Sequence, residues 1–195
     1  MYPSGITMDV NKQEGAFVEV LGVSHQMEGK FRPHFFRGVC TVVCKLFNIV
    51  RPDKTFFGQK DIQQTVVLRR MVRDLFLPIE FIVVPIYRQE DGLAMSSRNR
   101  YLSEEQRKIS CVFSQALLKA KALYEQGTRD RASIIKVATE TIEAEKNVRL
   151  EYLSLAHPTT LEELDTIGED GAILSGAMYV GTTRLIDNVT LGFSY

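Results

Sequence analysis

Apolar residues recur along this chain at helical and at strand spacing, which predicts four long helices and five strands. Helical spacing runs through 36–50, through 61–76, between Ser103 and Gly127, and through 131–145. Alternating or continuous apolar runs predict strands at 54–58, 79–85, 148–155, 172–180 and 183–191. A shorter strand is predicted at 16–21 and a short helix at 159–165.

The order of these elements predicts two domains. Strand 54–58, helix 61–76 and strand 79–85 make a β-α-β unit, and the second strand is apolar on both faces toward its end. That pattern is typical of a parallel sheet covered by helices, so we expect a doubly wound α/β sheet within residues 1–98. Residues 99–195 predict an α+β domain with helices against a small antiparallel sheet.

Local signals mark the ends of elements in the second half. Ser103 and Gln106 have the spacing of a capping box at the start of the long helix. Gly127 is a C-terminal stop for that helix, and Gly181-Thr182 separates two strands as a hairpin turn.

Composition and charge narrow the class of protein. The 195 residues include 24 basic and 24 acidic side chains, so the chain lacks the basic footprint of a nucleic-acid binder. No apolar run reaches the length of about 18 residues that a membrane span requires. The odd number of cysteines, three, favours a reducing compartment, and we expect a cytoplasmic protein. Cys40 and Cys44 are interpreted as buried thiols rather than metal ligands.

Two polar turns flank the first β-α-β unit and are candidates for phosphate binding. In the first, Gly58 gives a tight turn, Asp61 is a candidate N-cap and Lys60 adds a mobile cation. In the second, the hydroxyls of Ser96 and Ser97 stand beside the guanidinium of Arg98. The alternative is an ordinary strand–helix turn and a solvated loop, and spacing alone leaves both interpretations open.

Longer motifs resemble the pantoate–β-alanine ligase family over nearly the whole chain. The motifs are Phe57-Gly58-Gln59-Lys60-Asp61, Gln63-Gln64, the unbroken run 91–99 from Asp91 to Asn99, and 181–188 near the end. Shorter agreements lie at 1–3, 28–29, 32–33, 38–39, 41–43, 45–50 and 52–53. The segment 103–170 is the least distinctive.

The chain also departs from the family pattern. The family carries a His-x-Gly-His motif that binds ATP, whereas the only histidines here are His25, His34 and His157, and none forms it. We therefore expect the chain to correspond to the C-terminal two-thirds of such an enzyme. We also expect the isolated chain to be inactive and to expose apolar surface on helix 36–50 or on the sheet. Arg32 faces ligand or is a surface charge, and His34 stands one position before the place where the family usually has a histidine.

The resemblance implies a fold, a reaction and a set of site residues. The fold is the C-terminal part of a Rossmann-like, nucleotidyltransferase-type domain, followed by the α+β domain. The reaction is the ATP-dependent joining of pantoate to β-alanine through a pantoyl adenylate, a step of pantothenate biosynthesis. Lys60 and Arg98 are the catalytic cations, and Gln64 contacts pantoate. The implied ATP-binding residues are Gly58, Gln59, Lys60, Asp61, Tyr87, Met95, Ser96, Ser97 and Arg98.

The resemblance further implies Mg²⁺ as the partner of the triphosphate, although no residue is assigned to a metal, and it implies a homodimer. Asp91 is interpreted as a loop cap rather than a metal ligand. The alternative function is a non-catalytic nucleotide-binding or dimerising module derived from such an enzyme. For the geometry, we expect Lys60, Ser96, Ser97 and Arg98 to converge on one cleft, with Gln64 lining it from the helix.

Overall fold

A computed structural model describes residues 15–195. These residues divide into two compact units, the first containing residues up to 57 together with 62–84 and 159–161, and the second containing 58–61, 85–158 and 162–195. The predicted boundary between 98 and 99 differs from this division, which assigns the turn at 58–61 and the segment 85–98 to the second unit. The family-like residues 1–3 lie outside the described range.

The first unit contains three helices and a two-stranded sheet. The short helix α1 (Glu28–Phe31) precedes α2 (Phe35–Val50), β1 (Lys54–Gly58), α3 (Ile62–Asp74) and β2 (Glu80–Val84). β1 and β2 pair in parallel, and the rings of Phe57 and Phe81 stack with their centroids 5.0 Å apart. The β-α-β prediction is thus confirmed, whereas the sheet seen within 15–195 has two strands rather than a doubly wound set.

Helices α2 and α3 follow the predicted amphipathic pattern. Phe36, Cys40 and Phe47 are buried on α2, and Val67, Leu68 and Met71 are fully buried on α3. The expected uncovered apolar surface is present in this unit. It comprises Leu46, Ile49 and Val50 on α2, and Phe56 and Val84 on the sheet, which are 43–76% exposed.

Two features predicted for the first unit are wrong. Residues 16–20 form no strand, because the backbone N–H of Val18 donates to Thr41 Oγ1 on α2 instead of to a neighbouring strand. The helix predicted over 61–76 begins at Ile62, after a 3-10 turn at Gln59–Asp61, and Asp61 makes no capping hydrogen bond among the described residues.

The second unit is an α+β fold with one three-stranded antiparallel sheet. Its elements are a 3-10 turn (Ser97–Tyr101), α4 (Glu104–Glu125), α5 (Arg131–Glu143), β3 (Val148–Ala156), β4 (Ala172–Val180) and β5 (Thr183–Leu191). The strand order is β3-β4-β5, and the turn at Gly181-Thr182 joins β4 to β5 as predicted. The capping box of Ser103 and Gln106 is also confirmed.

The core of this unit lies between one face of the sheet and the two helices. Phe113 and Leu117 of α4 and Ile134 and Ile142 of α5 pack with Leu174 and Met178 of β4, among other residues. Gly176 is required where β4 pairs with β3, because an added Cβ would lie 2.6 Å from the carbonyl oxygen of Tyr152. The helix predicted at 159–165 is absent, since single bridges join Ala156 to Glu163 and Asp130 to Thr166 there.

Candidate active site

A narrow cleft in the second unit brings together residues from three segments that are distant in sequence. Its enclosed space, in which a water-sized sphere fits, is about 10 Å³, and the 310 Å³ of empty volume around it includes open solvent. The polar residues that line it are Lys60, Ser96, Arg98, Asn99, Arg184 and Asp187, and the apolar ones include Leu93, Ala94 and Phe113. The predicted convergence of Lys60, Ser96 and Arg98 on one cleft is therefore present in the fold.

The 3-10 turn that bears Lys60 directly follows the last residue of β1. A tight turn follows Gly58 as predicted, but Gly58 itself has no positive φ, so the turn does not depend on the conformational freedom of glycine, and an added Cβ would meet no described atom within 4 Å. The side chain of Gln59 contacts β5 of the second unit, where its Nε2 donates to Asn188 Oδ1 over 3.3 Å. Lys60 lies in this turn before α3 begins, whereas Gln64 lies on α3 itself.

A hairpin at 87–95 leads into the loop that bears Ser96 and Arg98. Its bridge joins Arg88 to Ala94, and the N–H of Met95 donates to the carbonyl of Tyr87 over 2.9 Å. Asp91 Oδ1 accepts from the N–H of Leu93, which is the predicted loop cap, and Asp91 Oδ2 also pairs with Arg107 at 2.7 Å.

The hydroxyl of Ser96 begins the second 3-10 turn, since Ser96 Oγ accepts from the backbone N–H of Arg98 over 3.2 Å. Asn99 fixes the other side of this loop by donating from Nδ2 to the carbonyl of Ala94 over 3.1 Å. The loop that carries Arg98 is therefore ordered by its own hydrogen bonds.

Strand β5 contributes charged residues to the cleft. They lie in the family motif at 181–188, but the sequence alone did not assign them to the site. Asp187, only 4% exposed, pairs with both terminal nitrogens of Arg88 at 2.7 and 3.0 Å. Arg184 binds Glu151, which lies at the bulge where the β3–β4 register shifts. Two charged side chains inside a predicted strand, at 184 and 187, are the signal by which the sequence could have identified them.

The charge balance of the cleft favours an anionic ligand. Arg184 and Asp187 are each matched by a partner of opposite charge. Neither Lys60 nor Arg98 pairs with a carboxylate within the part of the chain from 15 to 195. Two cations that no carboxylate balances, in one cleft, raise the local concentration of a polyanion.

The other predicted site residues do not line this cleft. Ser97 and Asp61 are exposed, and Tyr87 and Met95 are 70% and 60% exposed on the hairpin. Gln64 is half-buried on α3 in the first unit. Its neighbour Gln63 is buried and donates from Nε2 to the carbonyls of Val23 and Gln26 over 2.9 and 2.7 Å, so that side chain supports the loop before α1. Roles for these residues in ligand binding stay predictions.

No metal centre or membrane span is visible in the described residues. They contain no group of three or more His, Cys, Asp or Glu side chains arranged to bind a metal ion. Nor does any helix between residues 15 and 195 combine the length and apolarity that crossing a membrane requires.

The sequence model of the pantoate–β-alanine ligase family matches residues 1–190. The chain therefore belongs to this family, and the resemblance read from the motifs is confirmed. The pantothenate synthetase of Chloroflexus aurantiacus is 50% identical over 188 residues, which are 96% of this chain and 64% of that protein. The chain thus spans 64% of the length of that relative.

Solved structures agree with this assignment. The pantothenate synthetase of Thermus thermophilus is 42% identical with a TM-score of 0.87, and the match covers 97% of this chain and 65% of that one. The pantoate–β-alanine ligase of Francisella tularensis, solved in complex with β,γ-ATP and β-alanine, is 27% identical with a TM-score of 0.68, covering 94% and 61%. The fold of a parallel sheet followed by an antiparallel three-stranded sheet is shared with these enzymes.

Proposed function

We propose that this chain is the part of an ATP-dependent ligase that binds ATP and pantoate, and that the enzyme joins pantoate to β-alanine. The observation that carries the proposal is the cleft lined by Lys60, Ser96 and Arg98. Its two cations pair with no carboxylate of residues 15–195, and they lie on a fold shared with a ligase solved with β,γ-ATP and β-alanine.

The reaction proceeds in two steps that place charge where these cations lie. An oxygen of the pantoate carboxylate attacks the α-phosphorus of ATP, forming pantoyl adenylate and releasing pyrophosphate. The amine of β-alanine then attacks the acyl carbon, losing a proton as the amide forms and AMP leaves. Lys60 and Arg98 stabilise the negative charge that develops on the phosphates in the first step. The product is pantothenate, a precursor of coenzyme A.

The remaining predicted residues surround this centre. Gln64 binds pantoate, while Gly58, Gln59, Asp61, Tyr87, Met95, Ser96 and Ser97 contact the nucleotide. Gly58 suits close approach, because the space beside its Cα is open within the chain. Mg²⁺ bound to the triphosphate neutralises part of its charge. The metal enters as MgATP, coordinated by the phosphate oxygens.

We further propose a Rossmann-like sheet, a cytoplasmic location and a homodimer, all of which rest on family membership. A second candidate function follows from the sequence, which contains no His-x-Gly-His. On this alternative the 195 residues bind nucleotide or form a dimer without catalysing ligation.

Binding of MgATP to the purified chain, measured by isothermal titration calorimetry, tests the site. Lys60→Ala and Arg98→Ala should each raise the Kd for MgATP at least about tenfold, because each removes a positive charge that contacts the phosphates. Matched controls are Lys54→Ala, whose Nζ pairs with Glu80 on the first unit's sheet, and Arg100→Ala, whose guanidinium binds Tyr101. Equal losses in controls and site variants, or no MgATP binding by the wild-type chain, would contradict the proposal.

Turnover separates the ligase from the non-catalytic module. We expect the 195-residue chain alone to release no AMP. Adding the part of the Chloroflexus aurantiacus enzyme that the match leaves uncovered should yield AMP release dependent on both pantoate and β-alanine. In that assembly Lys60→Ala and Arg98→Ala should slow adenylate formation about a hundredfold, or about 3 kcal/mol, in single-turnover measurements. Robust turnover by the chain alone, or none by the assembly, would contradict this assignment.

A further inference from the structure

The side chain of Asn188 binds the backbone of the turn that carries Lys60. It is 1% exposed, and its Nδ2 donates to the carbonyl oxygens of Gln59 and Lys60, each over 3.0 Å. Its Oδ1 accepts from Gln59 Nε2 over 3.3 Å. Both amide protons of one buried side chain are thus used on two consecutive carbonyls, in a contact that links positions 128 residues apart.

The preceding residue on β5 binds the other cation-bearing segment. Successive side chains of a strand point to opposite faces, so Asp187 and Asn188 reach different loops. Asp187 pairs with Arg88, which also donates to the carbonyl oxygens of Gly92 and Asn188, each over 3.3 Å. These bonds attach the hairpin at 87–95 to β5, and the loop with Ser96 and Arg98 continues directly from that hairpin.

Asn188 and Asp187, which are adjacent on β5, thus bind the two segments that carry the cations of the cleft. Asn188 binds the turn of Lys60, and Asp187 binds the hairpin that leads to Arg98. We propose that Asn188 is a positioning residue for phosphate binding, acting through the backbone of Lys60, while Asp187 supports the loop of Arg98 through Arg88. This inference rests on the proposed function, because it assumes that Lys60 contacts the phosphates of ATP. A displacement of about 1 Å at a catalytic group is enough to cost about a hundredfold in rate.

The geometry distinguishes positioning from general stabilisation of the sheet. The carboxamide of Asn188 lies on the face of β5 opposite to that of Asp187, and it contacts the backbone of the turn at 59–60. Thr190 lies two residues further along β5 on the same face and is half-buried. Thr190→Val is therefore a matched control, with a polar side chain replaced on the same strand and face but away from the turn.

The test is a double-mutant cycle between Asn188 and Lys60, read as the Kd for MgATP and for adenosine by isothermal titration calorimetry. Asn188→Leu removes all three hydrogen bonds at similar volume, and Asn188→Asp removes both N–H donors while keeping the shape. Both variants should raise the Kd for MgATP at least about tenfold and leave the Kd for adenosine within about twofold. Thr190→Val should change neither.

The decisive comparison is with Lys60→Ala. If Asn188 acts through Lys60, the variant with both changes should bind MgATP no more weakly than Lys60→Ala alone, because the positioned group is already gone. Additive losses, equal losses for adenosine and MgATP, or loss of folding in both Asn188 variants would show a structural role and overturn the inference. If Lys60→Ala leaves MgATP binding unchanged, the proposed function itself fails, which is a different result.

Discussion

Breaking the ion pair between Arg88 and Asp187 should destabilise the second unit more than breaking any exposed pair. The pair is bidentate, at 2.7 and 3.0 Å, and its side chains are 22% and 4% exposed. Asp187 Oδ1 also accepts from the N–H of Asn188 over 2.8 Å. Arg88→Met leaves a buried carboxylate without its cation, and Asp187→Leu leaves a guanidinium without its anion.

Removing one partner of a buried pair costs about 3–5 kcal/mol, because the remaining charge is desolvated without compensation. We therefore expect each single variant to lose about that much in the free energy of unfolding. The double variant has no buried charge at this place, so it should lose less than the sum of the two, with a coupling of about 2–3 kcal/mol. Recovery will be incomplete, since Gly92 and Asn188 lose the hydrogen bonds that Arg88 donates to their carbonyls.

Urea denaturation followed by far-ultraviolet circular dichroism measures these losses. The control is the pair of Lys54 and Glu80, at 2.8 Å with side chains 57% and 58% exposed, for which the coupling should stay below about 1 kcal/mol. Single losses at Arg88 and Asp187 below about 1 kcal/mol, or a double variant equal to the sum of the singles, would refute the reasoning. Such a result would mean that solvent or neighbouring groups already compensate each charge.

Three further predictions follow from single residues. Gln64→Ala should weaken pantoate binding more than ATP binding in the assembly with the uncovered part of the relative, and equal losses in calorimetry would count against its assignment. Ser103→Ala removes the hydroxyl that accepts from the N–H of Gln106, so the free energy of unfolding in urea should fall by about 1 kcal/mol; no measurable change would argue against the capping box. Burial raises the pKa of the Cys40 thiol to about 12, so iodoacetamide at pH 8 should modify this cysteine in urea but not in the folded chain. Peptide mass spectrometry measures the modification, and rapid modification of the folded chain would contradict the burial of Cys40.

The sequence alone determined the elements that depend on neighbours along the chain. The capping box at Ser103 and the turn at Gly181-Thr182 formed as predicted because each depends on residues within a few positions. The motifs at 57–61 and 91–99 identified the family, and with it Lys60 and Arg98 as candidate site residues, because each motif is a run of neighbouring residues. The strand predicted at 16–21 was wrong, because no local pattern specifies that the N–H of Val18 donates to Thr41 Oγ1 on α2.

Only the tertiary structure decided how the site is assembled. The bonds from Asn188 to the turn of Lys60, and from Asp187 to Arg88, cross more than 90 residues of sequence, and no local pattern specifies such pairs. The bulge at Glu151 likewise meets Arg184 only once β3, β4 and β5 have paired in register. The sequence therefore named the two cations of the cleft, whereas the folded sheet determined which side chains set their positions, because those contacts exist only after distant segments have been brought together.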